Sequence, residues 1–178
     1  MKIGVISDTH IVTGGFGFRK VATQVIYKNK PELNYLREIV EKHFKGVERI
    51  LHAGDLVEQE VLDLLEETAP VDAVCGNMDH GEMSAKLPVK KVLTLDGMRI
   101  GLIHGWGAPS GIVERVRREF KDVEAIVFGH THSPINSLIG GVLMFNPGSP
   151  TDRRFAPFNS IGLLNIDSGK IAGEIIRL

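Results

Sequence analysis

Apolar residues fall in short runs broken by glycine, proline and polar clusters, and the period of the pattern changes along the chain. Ile3, Val5 and Ile6 lie in a run with little polar alternation, the pattern of a strand covered on both faces. Pro31 suits a first helical position, and Leu33, Leu36, Val40 and Phe44 then recur at helical spacing up to Gly46. Residues 47–53 form a second strand. Val61, Leu62, Leu64 and Leu65 mark a second amphipathic helix that Pro70 stops, and residues 71–75 form a third strand. Residues 11–30, which include Gly14-Gly15-Phe16-Gly17-Phe18, predict a loop near the end of the first strand. The order β-α-β-α-β implies parallel strands with right-handed crossovers.

The second half predicts hairpins. Runs at 89–95 and 98–103 flank Asp96-Gly97, a strong short turn signal. A helix is predicted over 110–120, with Ile112, Val113, Val116 and Phe120 on its buried face, and a strand over 123–128. Runs at 134–139 and 142–145 flank Gly140-Gly141, and those at 160–167 and 170–177 flank Ser168-Gly169. Two mixed β-sheets packed face to face, with helices outside, satisfy both halves in one α/β fold. No linker, repeat or low-complexity segment interrupts the 178 residues, so one domain over 1–178 is expected.

Composition narrows the picture without pointing to a partner. A chain of this length buries roughly 70% of the surface it would expose unfolded, and 43% apolar with 24% charged residues is ordinary for a globular protein. A net charge of −1 gives no global attraction to nucleic acid or membrane. No run reaches the ~20 apolar residues of a membrane span, and Met1 leads into a strand rather than a signal peptide. Cys75 is the single cysteine, which excludes an intrachain disulfide and suits a reducing compartment. A cytoplasmic protein is expected, binding neither membrane nor specific nucleic acid. Exposed C-terminal hairpins offer edges for a homodimer.

The chemistry sits at the ends of the strands. Asp8-Thr9-His10 follows the first run, Gly54-Asp55 the second and Gly76-Asn77 the third. His104-Gly105 follows the run at 99–103, and Gly129-His130-Thr131-His132 follows the run at 123–128. Parallel strands place their carboxyl ends along one edge, where ligands bind. Asp8, His10, Asp55, Asn77, His104, His130 and His132 would therefore converge. Seven O and N donors exceed one tetrahedral site and suit two octahedral or five-coordinate ions. A carboxylate such as Asp55 can bridge two cations, and two ions ~3.5–4 Å apart can hold a hydroxide and both non-bridging oxygens of a phosphoryl group. Any one of these histidines alone would more often be a satisfied polar residue than a ligand; five such endings in order are the signal.

This ordered set, with His52-Ala53-Gly54-Asp55, Gly76-Asn77-Met78-Asp79 and Asn146-Pro147-Gly148-Ser149, resembles the calcineurin-like metallophosphoesterase family over nearly the whole chain. Within it the chain is similar to small bacterial and archaeal phosphodiesterases. The resemblance implies an αββα sandwich. It implies one metal held by Asp8, His10, Asp55 and His132, and another by Asp55, Asn77, His104 and His130, with Asp55 shared. Phosphatase members carry a histidine for leaving-group protonation where this chain has Met78, which cannot donate a proton. His80 is the nearest substitute, or a solvated loop residue. Asp79 is placed beside the chemistry, supports a ligand, or lies on the surface.

The expected function is a binuclear metal-dependent phosphodiesterase, in which a metal-bound hydroxide attacks a small phosphodiester. The mixed ligand set suits two Mn²⁺ ions, with Fe, Ni, Zn or Co as alternatives. The alternatives are a phosphomonoesterase and a non-catalytic scaffold, the latter known in a retromer subunit of the same fold. His52 either orients a ligand through its ring or bonds to backbone at its strand end. Arg153 and Arg154 either meet a phosphate or pair with Asp152 and solvent. Cys75 reads as core, and Arg115, Arg117 and Arg118 as a solvated helix face.

Overall fold

The computed structural model describes residues 1–12, 30–154 and 156–178. Most of the loop expected over 11–30 therefore lies outside the described residues. In chain order the elements are β1 (Lys2–Ile6), α1 (Pro31–His43), β2 (Arg49–His52), α2 (Gln59–Glu66), β3 (Val71–Ala73), α3 (Glu82–Lys86) and β4 (Lys90–Leu95). They continue with β5 (Met98–Ile103), α4 (Ile112–Arg118), β6 (Ala125–Val127), β7 (Ile135–Ile139), β8 (Val142–Asn146), β9 (Ser160–Asp167) and β10 (Lys170–Arg177). No described helix is long and apolar enough to cross a membrane.

The strands form two five-stranded mixed sheets, ordered β10-β9-β1-β2-β3 and β4-β5-β6-β8-β7. In the first, β1, β2 and β3 run parallel while β9 and β10 are antiparallel. In the second, β5, β6 and β8 run parallel, with β4 and β7 antiparallel at the edges. Ile3, Val5 and Leu51 of the first sheet share one buried cluster with Ile100, Leu102, Val127 and Phe145 of the second. The outer face of the first sheet packs on Leu36, Val40, Val61 and Leu65 of α1 and α2. The outer face of the second packs on Ile112 and Val116 of α4. The layers are thus αββα, as the patterning and the resemblance both imply.

The close sheet contact leaves little room at one point. A Cβ on Gly162 or Gly173 would lie 2.5 Å from the Phe145 ring, so these two glycines on β9 and β10 form the recess that receives it.

Three details differ from the expectation. The strands expected over 71–75 and 123–128 are three residues each, Val71–Ala73 and Ala125–Val127, although Val74 N still donates to His52 O and Phe128 N to Phe145 O. The short helix α3, with only Met83 buried, has too few apolar positions to show a period. And the five polar strand endings do not lie on one open sheet: three belong to the first sheet (β1, β2, β3) and two to the second (β5, β6). The sequence pattern of a parallel strand is the same in either sheet, so only packing reveals the division.

An ion-pair cluster locks the two sheets at their edges. Asp72 on β3 accepts from Arg49 on β2 at 2.5 Å and from Lys91 on β4, in the opposite sheet, at 2.6 Å. Burial alone would raise the Asp72 pKa, but the hydrogen bonds from Lys91 and Arg49 outweigh it and hold the carboxyl below its ordinary value. Because the folded pKa is the lower one, the unfolded chain takes up the proton first as pH falls. The stabilisation is present above pH ~4 and disappears below it. Asp72→Asn is expected to lower unfolding free energy by about 1–2 kcal/mol at pH 7, and to lose less stability than the parent between pH 5 and pH 3. Urea midpoints at the three pH values check this, and an identical pH dependence in both proteins would show that Asp72 contributes nothing to acid sensitivity.

Candidate metal centre

The candidate ligands are gathered where the carboxyl ends of the two sheets meet. Backbone bonds tie the β1 and β2 loops together: Asp8 N donates to Gly54 O at 3.0 Å and His10 N to Asp55 O at 3.2 Å. Within the second sheet, Gly129 N after β6 donates to His104 O after β5 at 3.0 Å. Five of the seven candidates adopt left-handed backbone: Asp8 (φ 54°), His10 (46°), Asp55 (57°), His130 (72°) and His132 (56°). Asp and His tolerate this region better than most residues, and the conformation turns each strand sharply enough to aim successive side chains into one place.

Two carboxylate oxygens form the middle of the cluster. Asp8 Oδ1 lies 3.4 Å from His132 Nε2, 3.8 Å from His104 Nε2 and 3.9 Å from His10 Nε2. Asp55 Oδ2 lies 3.3 Å from His104 Nε2 and 3.5 Å from His10 Nε2, so it reaches imidazoles of both expected ligand sets. Asp8, His10 and His132 bring ligand atoms within 4.8 Å of one another, and so do Asp8, Asp55 and His104. Asn77 Oδ1 stands 3.1 Å from His104 Nε2 and 2.9 Å from His130 Nδ1. All seven predicted donors are therefore brought together.

The hydrogen-bond inventory tests whether this cluster fits a cation. His104 Nδ1 lies 2.7 Å from Ala53 O, which can only accept, so in the neutral ring the proton is on Nδ1. The Nε2 lone pair then points at Asn77 Oδ1 and Asp55 Oδ2. His130 repeats the arrangement: Nε2 lies 2.8 Å from Gly107 O, leaving the Nδ1 lone pair toward Asn77 Oδ1. His10 Nε2 and His132 Nε2 face each other at 3.2 Å beside Asp8. At His104 and His130 the ring N–H is thus tied outward to a backbone carbonyl and the other nitrogen faces the cluster, as for metal-binding histidine.

The field of the carboxylates points the same way. Burial lowers the His104 pKa, but the Asp55 hydrogen bond and the Asp8 and Asp55 charges outweigh it and raise the value to about 9. At His132, burial is again outweighed, by the hydrogen bond and charge of Asp8, and the pKa is raised. At His10 burial outweighs attraction to Asp55 and Asp8, and the pKa is lowered. A site that draws protons onto imidazoles flanked by two carboxylates favours positive charge, and its N and O donors fit divalent ions. Residues Asp8, His10 and His132 could hold one ion, and Asp55, Asn77, His104 and His130 could help hold another.

The residues around the cluster act mainly on backbone. Asp79 is 3% exposed, so it is not a surface carboxylate. Its oxygens accept from Asp55 N at 3.0 Å, Val57 N at 2.7 Å and Gly76 N at 2.7 Å. That pins the β2 and β3 loops together and holds Val57, a β-branched residue at φ 73°, in a conformation costing ~1–3 kcal/mol. Asp79 is thus a positioning residue in this geometry, with no oxygen free of backbone donors. His52 is fully buried: Gly54 N donates to its Nδ1 at 3.2 Å, and its Nε2 lies 3.3 Å from Thr9 Oγ1. Burial lowers its pKa to about 4, so the ring is neutral and shapes loop backbone rather than touching a ligand side chain. His80 is exposed in the turn after Asp79.

Arg153 is exposed and Arg154, not Arg153, reaches Asp152, at 3.1 Å; Asp152 Oδ2 in turn lies 3.5 Å from His132 Nδ1. Ser149, Thr151 and Ser7 have roles that the sequence reading did not assign. Ser149 Oγ donates to Asp8 O at 2.7 Å, Thr151 Oγ1 to Thr9 O at 2.6 Å and Ser7 Oγ to Asp8 Oδ2 at 2.7 Å. Asn146 Nδ2 donates to Gly129 O at 2.9 Å. The 146–151 segment thereby braces two ligand loops, and Asn146-Pro147-Gly148-Ser149 was the only sequence signal of it. Cys75 lies beyond the end of β3 and is half-buried, not core. Arg115 is not part of a solvated face, because it donates to the carbonyls of Trp106, Ala108 and Ser110.

Comparison with known proteins agrees with this geometry. The calcineurin-like phosphoesterase superfamily domain matches residues 1–169. A probable metallophosphoesterase of Methanothermobacter thermautotrophicus is 36% identical over 179 residues, 99% of this chain and 92% of that protein. A phosphodiesterase of Methanocaldococcus jannaschii is 26% identical over 160 residues, 83% of each chain. The fold is shared with Vps29 of Entamoeba histolytica, solved in complex with Zn²⁺, at a TM-score of 0.63 and 24% identity over 99% of both chains. With strand-end ligands, αββα layers and a matching sequence from residue 1 to 169, the chain belongs to the calcineurin-like phosphoesterase superfamily.

Proposed function

We propose that this metallophosphoesterase is a binuclear metal-dependent phosphodiesterase. The observation that carries the reading is the convergence of imidazole nitrogens from two sheets on Asp8 Oδ1 and Asp55 Oδ2. Two divalent cations bound there would activate water for attack at phosphorus and draw charge from the phosphoryl oxygens. The chain's own contribution is placement. Met78 N donates to Asp55 Oδ1 at 2.7 Å, which turns the other oxygen, Oδ2, toward His10 and His104. Asp79 holds the backbone on both sides of that carboxylate. His104 and His130 keep a ring proton directed at a backbone carbonyl, away from Asn77 Oδ1.

The preference for diesters rests on Met78. Its thioether is 45% exposed and has no proton to give, so leaving groups that depart without protonation are favoured. The phosphodiesterase among the similar proteins supports the same choice. A second reading, a protein-binding scaffold, is raised by the likeness to Vps29. The donor set weighs against it, since no candidate position is lost, and a phosphodiesterase stands among the similar proteins.

Protein loaded with excess Mn²⁺ should contain two ions per chain by elemental analysis. His132→Ala or His104→Ala should each remove about one, and Asp55→Asn should weaken both. A stoichiometry of one or less in the parent would overturn the binuclear assignment.

Gly76→Ala probes the placement of Asp55, because a Cβ there would lie 2.1 Å from Asp55 Oδ1. Activity should fall about 100-fold or more, while the circular dichroism spectrum stays that of the parent. Full activity in this variant would mean that the carboxylate position is not critical.

Met78→His should raise monoesterase activity relative to diesterase activity, since general acid help is worth roughly 10²–10⁴-fold for a poor leaving group. If His80 supplies a proton instead, His80→Ala should slow alkyl diesters and spare nitrophenyl ones. An unchanged ratio in the first variant, with equal rates in the second, would remove both residues from substrate preference.

A further inference from the structure

Beside the candidate metal centre, between the loops that follow β3 and β5, lies a cavity of about 310 Å³. Cys75, Val89, Ile103 and Trp106 wall it, and Asn77 and His104 also line it. We propose that this cavity is a subsite for a planar aromatic substituent of the substrate, an aryl ring or a nucleobase, with Trp106 as its platform. The proposal rests on the phosphoesterase reading for the group that anchors the phosphoryl end.

Continuity with the centre comes first. Asn77 and His104 belong both to the cavity lining and to the cluster of converging donors, so a phosphoryl group held at that cluster directs one substituent toward the cavity. The volume is within the range of small-molecule sites. The walls then select the chemistry. Among the lining residues, Asn77 and His104 are the strong hydrogen-bonding side chains, and both are turned toward the cluster. The Cys75 thiol is a weak donor directed at Gly76 O. Beyond the Trp106 indole N–H, the cavity walls therefore offer a sugar hydroxyl or a charged headgroup few side-chain partners.

Val89 and Trp106 are 72% and 44% exposed, among the large apolar residues that the fold leaves uncovered. An apolar plane laid against them removes that surface from water, and indole stacks well on flat rings. The platform is also held in advance of binding. Gly105 (φ 98°) and Gly107 (φ 79°) bracket Trp106 in turns that disfavour other residues. Arg115 donates from Nε to Trp106 O at 3.0 Å and from Nη1 to Ser110 O at 2.9 Å, and its Nη2 caps Ala108 O. Ordering cost on binding is reduced accordingly. An aryl oxygen is also the leaving group that needs no proton from position 78.

The test uses the full chain with Mn²⁺ supplied, and calorimetric titration with phenylphosphonate and methylphosphonate. Phenylphosphonate should bind about tenfold more tightly and should change the fluorescence of Trp106, the sole tryptophan. Trp106→Ala should abolish that preference and leave methylphosphonate affinity within about twofold. Val89→Asp, at an exposed position, should also reduce it. Equal affinities in the parent, or a preference that survives both variants, would overturn the subsite. Adenosine monophosphate separates the sources: Trp106-dependent affinity above that of phenylphosphonate assigns a nucleobase, and affinity at or below it assigns a simple aryl group. Diester hydrolysis is measured alongside. Hydrolysis without phenyl preference removes the subsite and leaves the enzyme, whereas phenyl preference without hydrolysis removes the enzyme and leaves the subsite.

Discussion

Asp8 and Asp55 hold carboxylate oxygens within a few ångströms of each other in a buried place, an arrangement that repels unless positive charge stands between them. The loops around them are shaped by that constraint. Imidazoles approach from both sheets; His104 and His130 hold their outer nitrogens on backbone carbonyls, and His10, His104 and His132 face the carboxylates. The cluster accepts a proton or a metal ion more readily than it accepts neutrality. A metal ion satisfies several lone pairs at once, which protons can do only one at a time.

Holding such a cluster has a structural cost that the rest of the fold carries. Left-handed backbone recurs at five of the donors and at Val57, each conformation disfavoured for an L-residue. Buried polar groups offset this: Asp79 gathers three backbone N–H groups, His52 and Thr9 join two loops, and Ser149 and Thr151 brace the segment carrying Asp8. Glycines supply the remaining room. At Gly76 and Gly129 any side chain would collide with Asp55 or with Ser7 and Asp8. These contacts define the site as much as the donors do, because they remove the freedom by which the donors could separate.

One loop connects the donor cluster to its surroundings. Arg115 on α4 holds the turn that contains Trp106 and Gly107, and Gly107 O in turn fixes the ring of His130. The same loop therefore sets the protonation pattern of a candidate ligand and forms a wall of the neighbouring cavity. A basic helix that reads as a solvated face has one member committed to this task.

The sequence by itself determined the layered α/β class, the set of candidate donors that the fold brings together and the substitution at position 78. Each of these depends on local signals: apolar period, turn glycines and polar residues at strand ends. Tertiary structure decided what no local signal carries. The chain's parallel strands separate into two sheets, since a buried strand looks alike in either. Asp79 serves backbone rather than solvent, because two of its three partners come from the loop after β2, more than twenty residues away in the chain. Arg115 caps a loop that begins nine residues earlier, and the Trp106 cavity exists only where the ends of β3 and β5 meet. The donors were legible because metal chemistry restricts residue type at each position. Their supports were not, because a hydroxyl or carboxylate can satisfy a backbone N–H or C=O from almost anywhere in the chain that folding brings near.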